Sequence, residues 1–247
     1  QGKDEEAIKV YRQGVKNNPD NSNYLFALAS ALEAQNKWLR ASNNYQQAAK
    51  LEPSARVYYH WGLVDYKRQE YDQARSHLKQ AAELEPSAKI YYYWGLTCFK
   101  LQEYDEAESC WKEAIAIKPN YALPYYQLGR LWQNQQQWQQ AISAYRQVIS
   151  IKPEFVQALS KLGAVYRHLQ QFDLAISCLR QAIEYVTKQD VAQELAVTSE
   201  RATLAEDLPV TVDLYFQLGK VLRAKGSFPE AITAYLQSIQ LDPGFKS

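Results

Sequence analysis

The chain has 247 residues, 28 Lys plus Arg against 27 Asp plus Glu, 47% hydrophobic residues, nine Gly and nine Pro, which excludes a disordered or collagenous chain. A formal charge of +1 leaves no global field for gripping nucleic acid or an anionic membrane. No apolar run approaches the ~18 residues that span a bilayer, and the N-terminus lacks the charged-then-apolar order of a signal peptide.

The prolines set out the organisation. Pro19, Pro53, Pro86, Pro119 and Pro153 follow at intervals of 34, 33, 33 and 34 residues, and Pro243 closes the series after 90. A fixed period of this length signals stacked repeats. With proline at repeat position 32, residues 1–21 are the second half of a truncated unit. Complete units cover 22–54, 55–87, 88–121, 122–155 and 156–189, an insertion occupies 190–211, and a last unit, with no closing cap, covers 212–247. Each complete unit reads as two helices of about 13 to 14 residues. Short polar turns separate them, such as Gln35-Asn36-Lys37 in the first complete unit and Lys225-Gly226-Ser227 in the last. The insertion carries Val191, Leu195, Ala196, Ala202 and Leu204 at partly helical spacing. It is expected to extend the preceding helix or add a short one, being too long for an ordinary turn and too short for a unit. A half-unit at the start, no polar helix at the end and no Met together lead us to expect a segment of a longer protein.

Small residues recur where helices must approach. Position 8 holds Ala29, Gly62, Gly95, Gly129, Gly163 and Gly219, although a helix interior disfavours glycine. Position 20 is Ala41, Ala74, Ala107, Ala141, Ala175 and Ala231, and position 17 is always aromatic, from Trp38 to Phe228. In unit 122–155 the pattern reads Tyr125, Leu128-Gly129, Trp132, Ala141, Tyr145, Val148, Pro153. This resembles the tetratricopeptide repeat family. The resemblance implies an all-α, right-handed superhelical α-solenoid of antiparallel helix pairs, whose first helices line a concave face at positions 2, 5, 9, 12 and 13. Asp65 and Cys98 stand where the family has a large aromatic, so imperfect packing is expected there, and Thr187 replaces the proline of its unit.

The expected groove is aromatic and basic. Position 5 reads Phe26, Tyr59, Tyr92, Tyr126, Ser160 and Phe216. With helices about 8–10 Å apart and an extended peptide advancing about 3.3 Å per residue, successive rings would meet roughly every third ligand residue. Cations on the groove positions are Arg56, Lys67, Lys89, Lys100, Arg130, Arg167, Lys220 and Arg223, against Glu33 and Asp213. Lys67, Lys100, Arg167 and Arg223 complement the dipoles of their helix ends, whereas Arg56 and Lys89 lie in first turns, where the dipole disfavours them. The expected partner is therefore a protein or peptide with acidic groups or a free carboxylate. The Asn clamp by which some family members hold chaperone tails is missing, since Ser30, Leu63, Leu96, Arg130, Ala164 and Lys220 fill its positions.

Catalytic and metal constellations are not apparent. Cys98, Cys110 and Cys178 form no CxxC pair, and His60, His77 and His168 fall in different units without a spacing that suggests a triad or metal cage. The expectation is a noncatalytic scaffold for protein–protein interaction with no cofactor and no membrane. Unpaired cysteines lean toward a reducing, cytoplasmic setting. The alternatives are a regulatory or targeting segment of a larger enzyme and single-stranded RNA binding by rings and cations, the latter disfavoured by the near-zero charge. Self-association through uncapped ends is a further expectation.

Overall fold

The structure, a computed structural model, describes residues 2–195 and 208–242. Among these there are thirteen helices and no strand. Helix α1 spans Gly2–Asn17, and six hairpins follow: α2 Ser22–Ala34 with α3 Trp38–Leu51, α4 Ala55–Lys67 with α5 Tyr71–Leu84, and α6 Ala88–Lys100 with α7 Tyr104–Ile117. The later three are α8 Ala122–Asn134 with α9 Trp138–Ile151, α10 Val156–His168 with α11 Phe172–Leu195, and α12 Leu208–Lys225 with α13 Phe228–Leu241. The fold is an all-α solenoid of antiparallel helix pairs. It divides into two compact units, residues 1–124 and 125–247, and in each, consecutive helices pack on one another.

Glycine at position 8 closes five of the six hairpins, with Ala29 in that place in the first. A Cβ on Gly95 would lie 2.5 Å from Trp111 Nε1, and one on Gly129 would lie 2.6 Å from Tyr145 Cε1. Trp111 and Tyr145, both at position 24, are 0% exposed, so the missing methyl is the space that the ring occupies. Trp111 also donates its indole N–H to the Tyr92 carbonyl at 3.2 Å, fixing the ring across the hairpin. Against Gly163 the fit is looser, the nearest atom of Leu179 being 3.1 Å from the added Cβ.

The turns repeat one geometry. Position 15 is left-handed in every hairpin, at Asn36, Gln69, Gln102, Gln136 and Gln170 (φ 56° to 64°) and at Gly226 (φ 90°). The next amide then donates to the carbonyl of position 11, as Glu103 N does to Cys98 O at 2.9 Å. This is the bond that satisfies the frayed end of the first helix. Asn21, Ser54 and Ser87 cap the following first helices through side-chain oxygens.

Thr187 explains the longest helix. Elsewhere proline at position 32 pushes the residue before it out of the helical region. Thr187 lifts that block and bonds back to Ile183 O at 3.1 Å, so α11 runs for 24 residues where α9 has 14. Helix α12 begins at Leu208, ahead of Val212, with Pro209 in its first turn, where a missing N–H costs nothing. The rest of the expected insertion, 196–207, lies outside the described residues. On α13, Phe228, Ile232, Leu236 and Ile239 are more than half exposed along the helix.

Two outcomes test this account by thermal unfolding. Gly95→Ala should destabilise by about 1–3 kcal/mol through overpacking against Trp111, whereas Gly163→Ala, offset by helix propensity, should be within about 1 kcal/mol of neutral. Gln102→Gly should raise the unfolding midpoint, because glycine relieves roughly 1 kcal/mol of left-handed strain.

Candidate functional site

Neighbouring residues on a first helix diverge by about 100°, so runs of aromatics spread rings both into the hairpin and across its face. In the first unit those runs are Tyr58-Tyr59-His60 on α4 and Tyr91-Tyr92-Tyr93 on α6. Positions 5 and 6 join across the helices into one continuous chain of rings. Phe26 meets His60 at 5.3 Å between centroids, His60 meets Tyr59 at 5.3 Å, and Tyr59 meets Tyr93 at 6.0 Å. Tyr93 then meets Tyr92 at 5.2 Å, and Tyr92 meets Tyr121, just ahead of α8, at 5.4 Å. Interplanar angles of 57° to 85° make every step edge-on or tilted, the arrangement favoured by ring quadrupoles. Phe26 and Tyr92 are buried, while His60, Tyr59, Tyr93 and Tyr121 are half-buried and present surface.

Charges flank this chain. The Arg56 guanidinium lies 3.9 Å from the Phe26 centroid, and Lys118 Nζ lies 5.8 Å from that of Tyr121. Glu33 Oε2 accepts from Tyr45 Oη at 2.7 Å and from His60 Nδ1 at 3.3 Å, tying the acid of α2 to the rings. Burial, with help from Tyr93 and Glu33, pushes the Tyr59 phenol up to about 12. Burial and the phenols of Tyr92, Tyr93 and Tyr59 likewise push Tyr121 up. Both hydroxyls therefore keep their protons at neutral pH and remain donors.

Several expected groove residues turn out to serve the core. Phe26 and Tyr92 are each only 7% exposed, so they are pegs beneath the face rather than rungs on it. Phe26 leans on Tyr45, Tyr126 on Tyr145 and Phe216 on Tyr235, at 5.5, 6.0 and 5.7 Å, because position 5 meets position 24 within its own hairpin. The first-turn charge of Arg56, expected to wait for an acidic ligand, has an internal partner in the Phe26 ring. Lys220 sits over Phe216 in the same manner at 4.1 Å, and Arg130 donates to Gln127 Oε1 at 3.0 Å. Lys67, Lys89, Lys100 and Arg223 are exposed, and Arg167 and Tyr126 are half-buried. Sequence reasoning missed Tyr93 and Tyr121. The signal was present in the unbroken Tyr91-Tyr92-Tyr93 run, where only position 5 had been followed.

Behind the face, Asp65 corrects the expectation of poor packing. Its carboxylate, 0% exposed, accepts from His77 Nδ1 at 2.8 Å, lies 3.4 Å from Ser42 Oγ, and has Arg68 Nη1 at 3.6 Å. Ser42 in turn accepts from Trp61 Nε1 at 2.9 Å, and the Trp61 and His77 rings stack at 3.6 Å. Although the spacing of His77 suggested no partner, its carboxylate lies across the hairpin. Ser42 bonds Asp65 and not the imidazole, so this is a structural network without the proton path of a hydrolytic triad. In the next repeat the same two positions hold Cys98 and Cys110, both buried. The Cys110 thiol is pushed strongly up, chiefly by its hydrogen bond with Cys98 and then by burial, and so stays unreactive. Cys98 Sγ and carboxylate oxygens of Glu103 and Glu106 lie within 4.8 Å of one another, but Glu103 is engaged by Arg75 and Glu106 by Trp94.

Comparison with known proteins agrees with the hairpin stack. Sequence families described as tetratricopeptide repeat match residues 1–50, 55–88, 88–121, 156–185 and 212–245, and one described as TPR repeat matches 134–169. The chain belongs to the tetratricopeptide repeat family, a scaffold for protein–protein interaction. Among solved structures it is similar to MamA (27% identity over 66% of this chain and 96% of that one, TM-score 0.63). It is also similar to YrrB, described as a TPR protein with an unusual peptide-binding site (21%, 76% and 98%, TM-score 0.61). The C-terminal part of a TPR repeat-containing protein from Cytophaga hutchinsonii aligns over 99% of this chain and 92% of that one, at 14% identity and TM-score 0.76. Comparison with curated protein sequences returns no match. Among the described residues no helix is long and apolar enough to cross a membrane.

The buried network makes its own prediction. Asp65→Ala, which strands His77 and Ser42, should cost about 3 kcal/mol in denaturant unfolding. The pair Asp65→Leu with His77→Asn, which copies Leu32 and Asn44 at the same positions one repeat earlier, should cost clearly less, since the imidazole is removed together with its carboxylate and only the weakly bonded Ser42 hydroxyl loses an acceptor.

Proposed function

We propose that the chain is a noncatalytic scaffold whose first-helix face in residues 1–124 binds an extended peptide segment of a partner protein. The observation that carries this reading is the continuous ring chain, in which Tyr59, Tyr93 and Tyr121 remain half-buried after the core has been closed. Aromatic side chains left partly uncovered supply contact area at small entropic cost, and they dominate recognition surfaces for that reason. Lys67, Lys89 and Lys100, exposed on the same first helices, favour an acidic segment or a chain-terminal carboxylate. Positions Tyr126, Arg130, Arg167, Phe216, Lys220 and Arg223 build the corresponding face of the second unit, which we assign the same role. Affinity would come from many modest contacts with a few aromatic anchors.

Panning random displayed peptides on the chain and titrating the recovered sequences by calorimetry tests the assignment. Recovered peptides should be acidic, and their binding should weaken as salt rises. The double variant Tyr59→Ala with Tyr93→Ala, verified as folded by circular dichroism, should bind about tenfold or more weakly, on the order of 1 kcal/mol for each ring. Undiminished affinity in that variant would place binding elsewhere.

A further inference from the structure

Helix α13 exposes a face that its counterparts keep covered. Position 21 is buried at Ser42, Ile142 and Ile176, and position 28 at Ala49, Ala82 and Ile183, none of them above 9% exposed. On these helices the first helix of the following hairpin packs against the second, α4 on α3, α6 on α5, α10 on α9 and α12 on α11. On α13 the same two positions hold Ile232 and Ile239, 59% and 55% exposed. Phe228 and Leu236 extend them, and at about 100° per residue the four side chains fall within an arc of about 80°. Large apolar side chains gathered in this way mark an interaction surface, unlike the same residues scattered singly.

The covered copies of this interface show what fits it. Ser42, at position 21, accepts from Trp61 Nε1 at 2.9 Å and stands 3.4 Å from Asp65, so it lies between positions 7 and 11 of the next first helix. Ala82, at position 28, clusters with Ile90 and Trp94, positions 3 and 7 of α6. A second helix is therefore met by a ridge of residues four apart on its neighbour. Where position 21 is serine, that ridge carries Trp61 and Asp65. Where it is isoleucine, the ridge is Ala158, Leu162 and Tyr166 on α10, or Leu214, Leu218 and Leu222 on α12. Ile232 puts α13 with the second kind, because a carboxylate set against it would be buried without a donor.

The charges that fasten one hairpin to the next are also replaced. On α11, Asp173 at position 18 accepts from Lys225 at 2.6 Å, and Arg180 at position 25 donates to Glu230 at 3.1 Å. Helix α13 has Pro229 and Leu236 in those places. Leu236 stands where the other five complete units have Gln46, Lys79, Lys112, Arg146 and Arg180. A hairpin like the last one would thus bring Lys225 and Glu230 to a surface that offers them no partner, whereas an uncharged helix face loses nothing there.

We propose that α13 docks a single amphipathic helix of a partner protein, with leucine-type residues at i, i+4 and i+8 and no charge on that ridge. It lies on Ile232 and Ile239 as α12 lies on α11, and Leu236 widens the apolar contact. This site is separate from the ring chain and does not depend on the peptide-binding reading.

Fluorescent peptides titrated into the whole chain and followed by anisotropy test the proposal. One copies residues 212–225, with Leu214, Leu218 and Leu222 on its ridge and a lactam bridge on the opposite face, since so short a helix is marginal in water. The control is the same peptide with Leu218→Trp and Leu222→Asp, which reproduces Trp61 and Asp65 of α4. The leucine peptide should bind about tenfold more tightly than the control, a difference of about 1.4 kcal/mol. In the chain, Ile232→Asp should weaken it about tenfold and Leu236→Arg about threefold, each verified as folded by circular dichroism. Leu39→Asp, at a site as exposed on α3, should change nothing. No binding, equal binding of the two peptides, or binding indifferent to Ile232→Asp would overturn the proposal. Concentration-dependent mass in light scattering that Ile232→Asp abolishes would make a second copy of the chain the occupant, and would overturn it as well.

Discussion

Closing a helix hairpin around a large side chain requires a place on the facing helix where the side chain is missing or no more than a methyl. In this protein that place is position 8. At Gly95 the indole of Trp111 occupies the volume in which a methyl group would stand, and at Gly129 the ring of Tyr145 does so. The helical cost of glycine is offset by burying a whole aromatic side chain, which is worth several times more. The same contact recurs from hairpin to hairpin, so each helix pair closes alike and its neighbour can stack on it.

The availability of rings for binding follows from that packing. Position 5 sits above position 24, so when position 24 is Tyr45, Tyr145 or Tyr235 the ring at position 5 is drawn down onto it. In the two repeats whose position 24 is Leu78 or Trp111, position 6 carries a ring, His60 or Tyr93, and both stay half-buried. Cations are used in two ways. Arg56 and Lys220 cover rings, a stacking that shields apolar surface while keeping the charge hydrated, whereas Lys89 stands in water in the first turn of α6.

Variation between repeats concentrates at positions 11 and 23, which face each other across the hairpin. One repeat fills them with a hydrogen-bonded carboxylate and imidazole, Asp65 and His77, and the next with two thiols, Cys98 and Cys110. The buried pair is tolerated because Ser42, Arg68 and Trp61 surround it with polar partners and packing. A fully buried carboxylate without such neighbours would be untenable. The repeat is therefore a frame of small residues and rings within which an individual hairpin can carry quite different interiors.

Period, hairpin boundaries and the close-packing positions were legible in the amino-acid order, because each depends on a residue's size or backbone limits and recurs at a fixed offset: proline at 32, glycine at 8, alanine at 20. The longer α11 was foreshadowed by Thr187 in place of proline, for the same local reason. The aromatic and basic character of the first-helix face was legible too. Which rings stay uncovered was not, since Phe26 and Tyr92 are hidden by partners on other helices, and Tyr121 joins the face from a loop at the far end of a repeat. The pairing of Asp65 with His77 and the stacking of Arg56 on Phe26 were also beyond the sequence. Both are contacts between residues brought together only when helices stack, and no local propensity encodes which side chain will lie across the gap.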